Sequence, residues 1–202
     1  AGNILGGEQS GFISDLGYET YHKILDESIH ELKHDEFADV FAEEIKEKDN
    51  IYATDCVFES DLELLFPSYY VQNISERMDL YRRLDAIKEA NALISFEKEM
   101  VDRFGEIPEV SQELIQVIRL RWLCMSLGIE KITLKNNRLS AYFTNNFQSH
   151  YYQSEIFNKI LQYAMVHHSN TKFKEQTDKR LISIDGVNGI RQAYKCLEEM
   201  CL

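Results

Sequence analysis

Apolar and charged residues alternate at helical spacing near the start of the chain. Between residues 18 and 48, apolar positions recur three and four residues apart, and Glu, Asp, Lys and His occupy the other faces. The apolar positions are Tyr18, Tyr21, Ile24, Leu25, Ile29, Leu32, Val40 and Phe41. This period predicts a long amphipathic helix, or two helices in succession, that connects an upstream body to the rest of the chain.

A second apolar stretch, from Val57 to Phe66, predicts an extended segment that ends at Pro67. Asn73 and Glu76 then have the spacing of a capping box, which predicts the start of a helix. The positions of this helix that are predicted to face inward are Met78, Tyr81, Leu84 and Ile87.

Two further helices are predicted before residue 128. The first covers about residues 91–104 and ends at Gly105. The second has Pro108 in its first turn, where a missing N–H costs nothing, and it stops at Gly128 in a left-handed cap. Its inner face is predicted to hold Val110, Leu114, Val117, Arg121 and Met125.

The pattern changes after residue 128. Two short alternating runs, residues 131–135 and 138–144, flank Asn136 and Asn137, which tolerate the positive φ of a two-residue hairpin. The remaining elements are a helix at about 151–166, strands at 172–176 and 180–184, and a helix at about 188–200. Because the strands come in hairpins and not in regular βαβ units, the sequence predicts an α+β fold, mainly helical, with a small sheet built from hairpin-like short strands.

Composition narrows the possible partners. No apolar run approaches the ~20 residues that span a bilayer, so no membrane contact is expected. The formal charge of −12, from 22 Lys and Arg against 34 Asp and Glu, argues against a general nucleic-acid surface, because such a surface needs cations. The four cysteines form no C-x-x-C pair, which argues against a zinc site or a disulfide framework and favours a reducing cytoplasm.

The sequence lacks the common motifs of catalysis. There is no G-x-x-x-x-G-K-[ST] phosphate loop, and the glycines at positions 2, 6 and 7 are not followed by Lys-Ser or Lys-Thr. There is no G-x-S-x-G nucleophile elbow and no H-E-x-x-H pair. The sequence therefore predicts a chain without catalytic residues, a metal or a cofactor of its own.

Two groups of histidines are candidates for metal binding or catalysis. One helical face carries four possible metal ligands at intervals of four, namely His22, Asp26, His30 and His34. A solvated polar stripe is the favoured interpretation, because structural zinc sites usually take ligands from more than one element. His167 and His168 lie at a predicted helix end, where capping is favoured over catalysis.

Phe66, Tyr69 and Tyr70 form an aromatic cluster in the sequence. Such a cluster either anchors a partner, because aromatic residues dominate interface hot spots, or covers the core of its own domain. Core packing is the favoured interpretation. The acidic excess is interpreted mainly as solvated surface, and a patch that faces a basic partner is the alternative.

Residues 1–13, with the sequence AGNILGGEQSGFI, resemble the end of a motif found in bacterial transcription-repair coupling factors and a related branch-migrating DNA helicase. In that family the motif couples ATP hydrolysis to translocation. Gln9 matches a glutamine implicated in the coupling, whereas Phe12 stands where the family commonly has His. Because the family's motif continues before Ala1, the chain is expected to be part of a longer protein.

The likeness extends along most of the chain. Residues 17–21 resemble the entry into the family's linking helix, and 67–71 with 77–84 resemble the opening of its C-terminal domain. Residues 102–108, with the sequence DRFGEIP, also resemble this domain, and the combination of the glutamine loop with the D-R-F-G motif is specific. Shorter matches are 119–121 and 127–129, and the likeness weakens after about Leu134.

The resemblance implies three parts: residues 1–16 as the end of a motor-domain loop, 17–54 as one or two linking helices, and 55–202 as a C-terminal regulatory domain. It implies ATP and Mg in the parent motor and neither in this chain. The domain is expected to dock on the N-terminal repair-recruiting module of the same protein and to mask it. RNA polymerase, DNA and the damage-recognition ATPase are then indirect partners.

The chain is expected to be monomeric and cytoplasmic. The alternative function is an accessory domain of a DNA helicase that contacts nucleic acid. This alternative requires Lys and Arg side chains from scattered positions to gather on one face.

Overall fold

The computed structural model describes residues 17–30, 52–176 and 178–202. The chain divides into two compact units. Of the described residues, the first contains 17–30 and 63–118, and the second contains 52–62, 119–176 and 178–202. The predicted loop at residues 1–16 and the continuation of the predicted linking helix to residue 48 lie outside the described residues. The domain boundary at residue 55 stays a prediction.

The described part of the first unit is helical. Its elements are α1 (Tyr18–His30), α2 (Ile74–Ala86), α3 (Ala90–Phe104) and the first part of α4 (Glu109–Ser126). Asn73 caps α2, since its side chain accepts a hydrogen bond from the Glu76 N–H at 3.1 Å, which confirms that half of the predicted capping box. None of the helices in the described ranges combines the length and apolar character needed to cross a bilayer.

The inward face of α2 differs from the predicted one. Tyr81 and Leu84 are buried as predicted, but Arg77 and Leu80 take the other inward positions. Met78 is only half-buried, because it lies about 100° around the helix from Arg77. The predicted Ile87 follows the last residue of α2 and serves as its C-cap. The core of the first unit includes Phe66, Leu80, Tyr81, Leu84, Leu93, Phe96, Met100 and Leu114.

The second unit is built on a five-stranded mixed sheet with the order β1-β2-β3-β5-β4. The strands are β1 (Val57–Ser60), β2 (Ile129–Lys135), β3 (Arg138–Phe143), β4 (Thr171–Gln176) and β5 (Lys179–Asp185). Asn136 and Asn137 have φ of 52° and 56°, which confirms the predicted hairpin between β2 and β3. β1 pairs in parallel with β2, which the hairpin pattern did not predict.

Two helices accompany this sheet, α5 (Glu155–Val166) and α6 (Ile190–Glu199). The helix predicted at 151–166 is interrupted, because Ser154 caps α5 and a short 3-10 helix, His150–Gln153, precedes it. Phe157 of α5 packs on Phe143 and Phe173 of the sheet, at centroid distances of 5.6 and 5.9 Å. The fold is α+β with helices dominant, as predicted.

Candidate interaction surface

The D-R-F-G motif lies at the C-terminal end of α3, in the first unit. Arg103 donates from Nη1 to Glu99 at 3.1 Å and from Nη2 to Glu76 of α2. Its guanidinium also lies 4.8 Å from the centroid of the Phe104 ring. Gly105 then ends the helix with a φ of 86°, a left-handed conformation that suits glycine. The motif therefore both ends α3 and fastens it to α2.

A second arginine strengthens this link. Arg83 of α2 forms two hydrogen bonds with Glu99, one of them at 2.8 Å, and its guanidinium lies 5.6 Å from the centroid of Phe96. The Arg83 hydrogen bonds, followed by that of Arg103, lower the pKa of Glu99 from 4.5 to about 2. The pairs therefore stabilise the unit above pH 4.5, and this contribution is lost as the pH falls toward 2. Because the side chains are more than a third exposed, each pair contributes no more than about 1 kcal/mol.

The three aromatic residues predicted to form one cluster have different surroundings. Phe66 is fully buried and stacks on Tyr81 at a centroid distance of 5.2 Å. Tyr70 is buried, and its hydroxyl donates to the carbonyls of Met100 and Gly105 at 3.2 and 3.1 Å. Tyr69 is 76% exposed. Core packing is thus confirmed for Phe66 and Tyr70, whereas Tyr69 is available to a partner.

The outer face of α3 presents apolar side chains to solvent. Ile94 is 42% exposed and Val101 is 49% exposed, and they lie seven residues apart on one helical face. Lys98 and Asp102 are exposed on the same face. We call Ile94, Lys98, Val101 and Asp102 the α3 surface. The hydrogen bonds of the Tyr70 hydroxyl hold that side chain against the C-terminal end of α3, and the exposed Tyr69 is its neighbour in sequence.

The site residue predicted for translocation coupling, Gln9, lies outside the described residues. Of the proposed metal stripe, only the His22 side chain is described, and His34 lies outside. His22 Nε2 is 3.3 Å from Asp85, and its ring packs at 4.5 Å against Tyr18. In the ranges that the structure describes, no three His, Cys, Asp or Glu side chains come together as a metal site would require.

His167 is the C-cap residue of α5, which confirms the predicted capping role. Its backbone N–H donates to the Tyr163 carbonyl, and its ring stacks on Tyr163 at 4.1 Å. Its Nε2 lies 3.8 Å from Glu199 of α6. The cysteines of the chain, Cys56, Cys124, Cys196 and Cys201, are free thiols.

Sequence reasoning missed the ion-pair chain Arg83–Glu99–Arg103–Glu76. Glu99 and Arg103 have the i, i+4 spacing of a helical pair, so this part carried a local signal. The sequence carried no such signal for the partners on α2, Glu76 and Arg83, because their contact with α3 depends on how the two helices pack.

Comparison with known proteins agrees with this fold. A family model described as the TRCF domain matches residues 60–154. The transcription-repair-coupling factor of Rickettsia bellii (strain RML369-C) is 28% identical over 188 residues, which cover 93% of this chain and 15% of the relative. That of Haemophilus influenzae is 31% identical over 136 residues, covering 65% of this chain and 11% of the relative.

A solved structure has a similar fold. It is the crystal structure of the C-terminal domain of transcription-repair coupling factor, with a TM-score of 0.59 and 14% identity. The match covers 73% of this chain and 92% of that one. The chain therefore has an α+β fold similar to that of this C-terminal domain. The chain is similar to transcription-repair coupling factors, and it spans 15% of the length of the Rickettsia bellii relative and 11% of the Haemophilus influenzae one.

Proposed function

We propose that this chain is a regulatory docking domain of an ATP-driven DNA translocase that removes stalled RNA polymerase and recruits repair. In this proposal the domain binds the N-terminal repair-recruiting module of its own protein. It covers the surface that the damage-recognition ATPase would otherwise occupy. The observation that carries the proposal is the α3 surface, which combines exposed apolar side chains with a rigid support.

The support of the α3 surface is suited to recognition. Glu99 and Arg103 fasten α3 to α2, and the Tyr70 hydroxyl donates a hydrogen bond to the Met100 carbonyl near the end of α3. A surface held in place before binding loses less conformational entropy when a partner is bound. Tyr69 adds an exposed aromatic side chain, which is the type of residue that most often anchors an interface.

The charge of the α3 surface indicates the character of its partner. Lys98 and Asp102 lie beside Val101 on α3, so the surface has one charge of each sign around its apolar residues. A module with an apolar centre and a rim that carries both charges would complement it. The residues of the α3 surface are not arranged for nucleophilic or acid–base chemistry, so we propose that ATP hydrolysis belongs to the motor alone.

Addition of this chain is expected to weaken the binding of the damage-recognition ATPase to the isolated recruiting module. When this chain is present at a saturating concentration, competition should raise the apparent Kd of the ATPase for the module by at least about tenfold, equivalent to about 1.4 kcal/mol. Analytical size exclusion with labelled ATPase measures this apparent Kd. In the control, bovine serum albumin replaces the chain at equal concentration. A stable complex of all three proteins would contradict masking.

A further inference from the structure

The five-stranded sheet of the second unit has two chemically different faces. Apolar residues such as Ile132, Ala141 and Ile182 align across β2, β3 and β5, and they are buried on the face that α5 covers. Alternate residues point to the opposite face, because side chains in a strand alternate with a period of two. We call this opposite face the open face.

The strand register determines which residues the open face contains. One row across the strands is Val57, Lys131, Tyr142, Leu181 and Lys174. The next row is Glu59, Thr133, Ser140, Ser183 and Lys172. The ends of the strands add Lys135, Arg138, Asp185, Lys179 and Gln176.

The open face is positively charged although the chain is acidic. Among these fifteen positions there are six Lys or Arg and two carboxylates, a net of four positive charges, whereas the whole chain has −12. The cations are exposed: the side chains of Lys131, Lys135 and Arg138 are 40%, 45% and 53% accessible. Lys172 and Lys174 of β4 are exposed as well.

The two carboxylates help to order the cations. Glu59 accepts hydrogen bonds from Lys131 at 2.7 Å and from Lys135 at 3.0 Å. Asp185 pairs with Arg138, and the cations of the open face keep its pKa below the ordinary value, Arg138 first and then Lys172 and Lys174. The cations of β2, β3 and β4 therefore share one electrostatic environment.

Hydroxyl groups lie between the cations. Thr133, Ser140 and Ser183 align in adjacent positions of β2, β3 and β5. Ser140 and Ser183 are buried, so the accessible hydroxyls are those of Thr133 and of Tyr142 in the neighbouring row. Lysine, arginine and hydroxyl side chains are the groups that contact phosphate and sugar in nucleic-acid complexes. With adjacent strands about 4.8 Å apart, the five strands span about 19 Å, which is enough for several phosphates.

We propose that the open face binds the phosphate backbone of nucleic acid without reading its sequence. The face is poor in the apolar anchors that a protein interface requires: its aliphatic positions are Val57 and Leu181, and Leu181 is buried. This site differs from the α3 surface, which lies in the other unit and combines apolar side chains with one charge of each sign. Asp61 and Asp178 stand near hairpin turns of the sheet and limit the basic area at those points.

The test is fluorescence anisotropy of the whole chain with labelled 20-nucleotide probes: single-stranded DNA, duplex DNA and single-stranded RNA of one sequence. The expected Kd lies at about 10⁻⁴ to 10⁻⁶ M, the range of non-specific binding. With three or four phosphates neutralised, log K for a single strand should fall with log salt at a slope of about −2 to −3. Comparison of the three affinities shows whether the open face binds DNA or RNA, and whether it prefers single-stranded or duplex DNA.

Charge reversal at two positions locates the binding. Lys172→Glu with Lys174→Glu is expected to weaken binding at least tenfold. The control is Lys23→Glu with Lys88→Glu, two exposed lysines of the first unit, which changes the net charge by the same amount. Binding by the control should change less than threefold. Equal loss in both variants, or binding of a labelled Glu-rich peptide while none of the three nucleic-acid probes binds, would overturn the proposal.

Discussion

Gly128→Ala is expected to lower the free energy of unfolding by about 3 kcal/mol, combining a left-handed backbone with overpacking. Gly128 has a φ of 72°, and a Cβ at this position would lie 2.3 Å from Cε2 of Tyr151. Tyr151 cannot move aside easily, because it is fully buried and its hydroxyl donates to the Leu127 carbonyl at 2.6 Å. Urea unfolding followed by the fluorescence of Trp122 measures the loss.

Gly186→Ala separates the two contributions. Gly186 has a φ of 83°, but a Cβ there would have no atom within 4 Å. Only the conformational cost remains, so the expected loss is about 1 to 2 kcal/mol. If both variants lost the same amount, the close approach of Gly128 to Tyr151 would not matter to stability.

Phe66→Ala is expected to destabilise the first unit by about 3 to 5 kcal/mol, the usual cost of truncating a buried phenylalanine. The Phe66 ring is fully buried between Tyr81 and Phe96, at centroid distances of 5.2 and 6.4 Å. Its removal leaves a cavity against Tyr81, whose hydroxyl accepts a hydrogen bond from the Phe66 N–H at 3.0 Å. Thermal unfolding followed by near-ultraviolet circular dichroism measures this loss, because the signal depends on the surroundings of aromatic residues such as Tyr81.

Tyr69→Ala is the control from the same aromatic cluster. Because Tyr69 is 76% exposed, its truncation should change stability by less than about 0.5 kcal/mol. A loss as large as that of Phe66→Ala would show that Tyr69 is part of the core and not available to a partner.

Local signals in the sequence predicted much of the fold. Asn73 capped α2, Gly105 and Gly128 ended helices in left-handed conformations, and Asn136 with Asn137 formed the hairpin. Each of these features depends on the conformational preference of one or two residues. Such preferences act over a few residues of chain and can be recognised without knowledge of the tertiary structure.

Features that depend on pairing between distant residues were not predictable in this way. β1 pairs with β2 across about 70 residues of sequence, and a four-residue strand without a hairpin turn carries little signal. The open face was unpredictable for the same reason, because its six cations come from four strands and are brought together only by the strand register. The net charge of −12 averages over the whole chain and conceals this local excess.

The α3 surface was only partly predictable. The D-R-F-G motif marked the end of α3, and the aromatic cluster marked a position where a partner was possible. Which of Phe66, Tyr69 and Tyr70 faces solvent depends on how their segment packs on α2 and α3, and the spacing of aromatic residues in sequence does not determine this.

Isothermal titration of the whole chain into the isolated recruiting module tests the docking proposal most directly. Val101→Glu places a charge in the centre of the α3 surface and should weaken binding about 30-fold, the effect of losing a hot spot of about 2 kcal/mol. Val57→Glu is the matched control, since Val57 is 53% exposed but belongs to the open face of the other unit. We expect wild-type affinity for Val57→Glu and a large loss for Val101→Glu. Wild-type affinity for a folded Val101→Glu variant, or no binding by the unaltered chain, would contradict docking through α3.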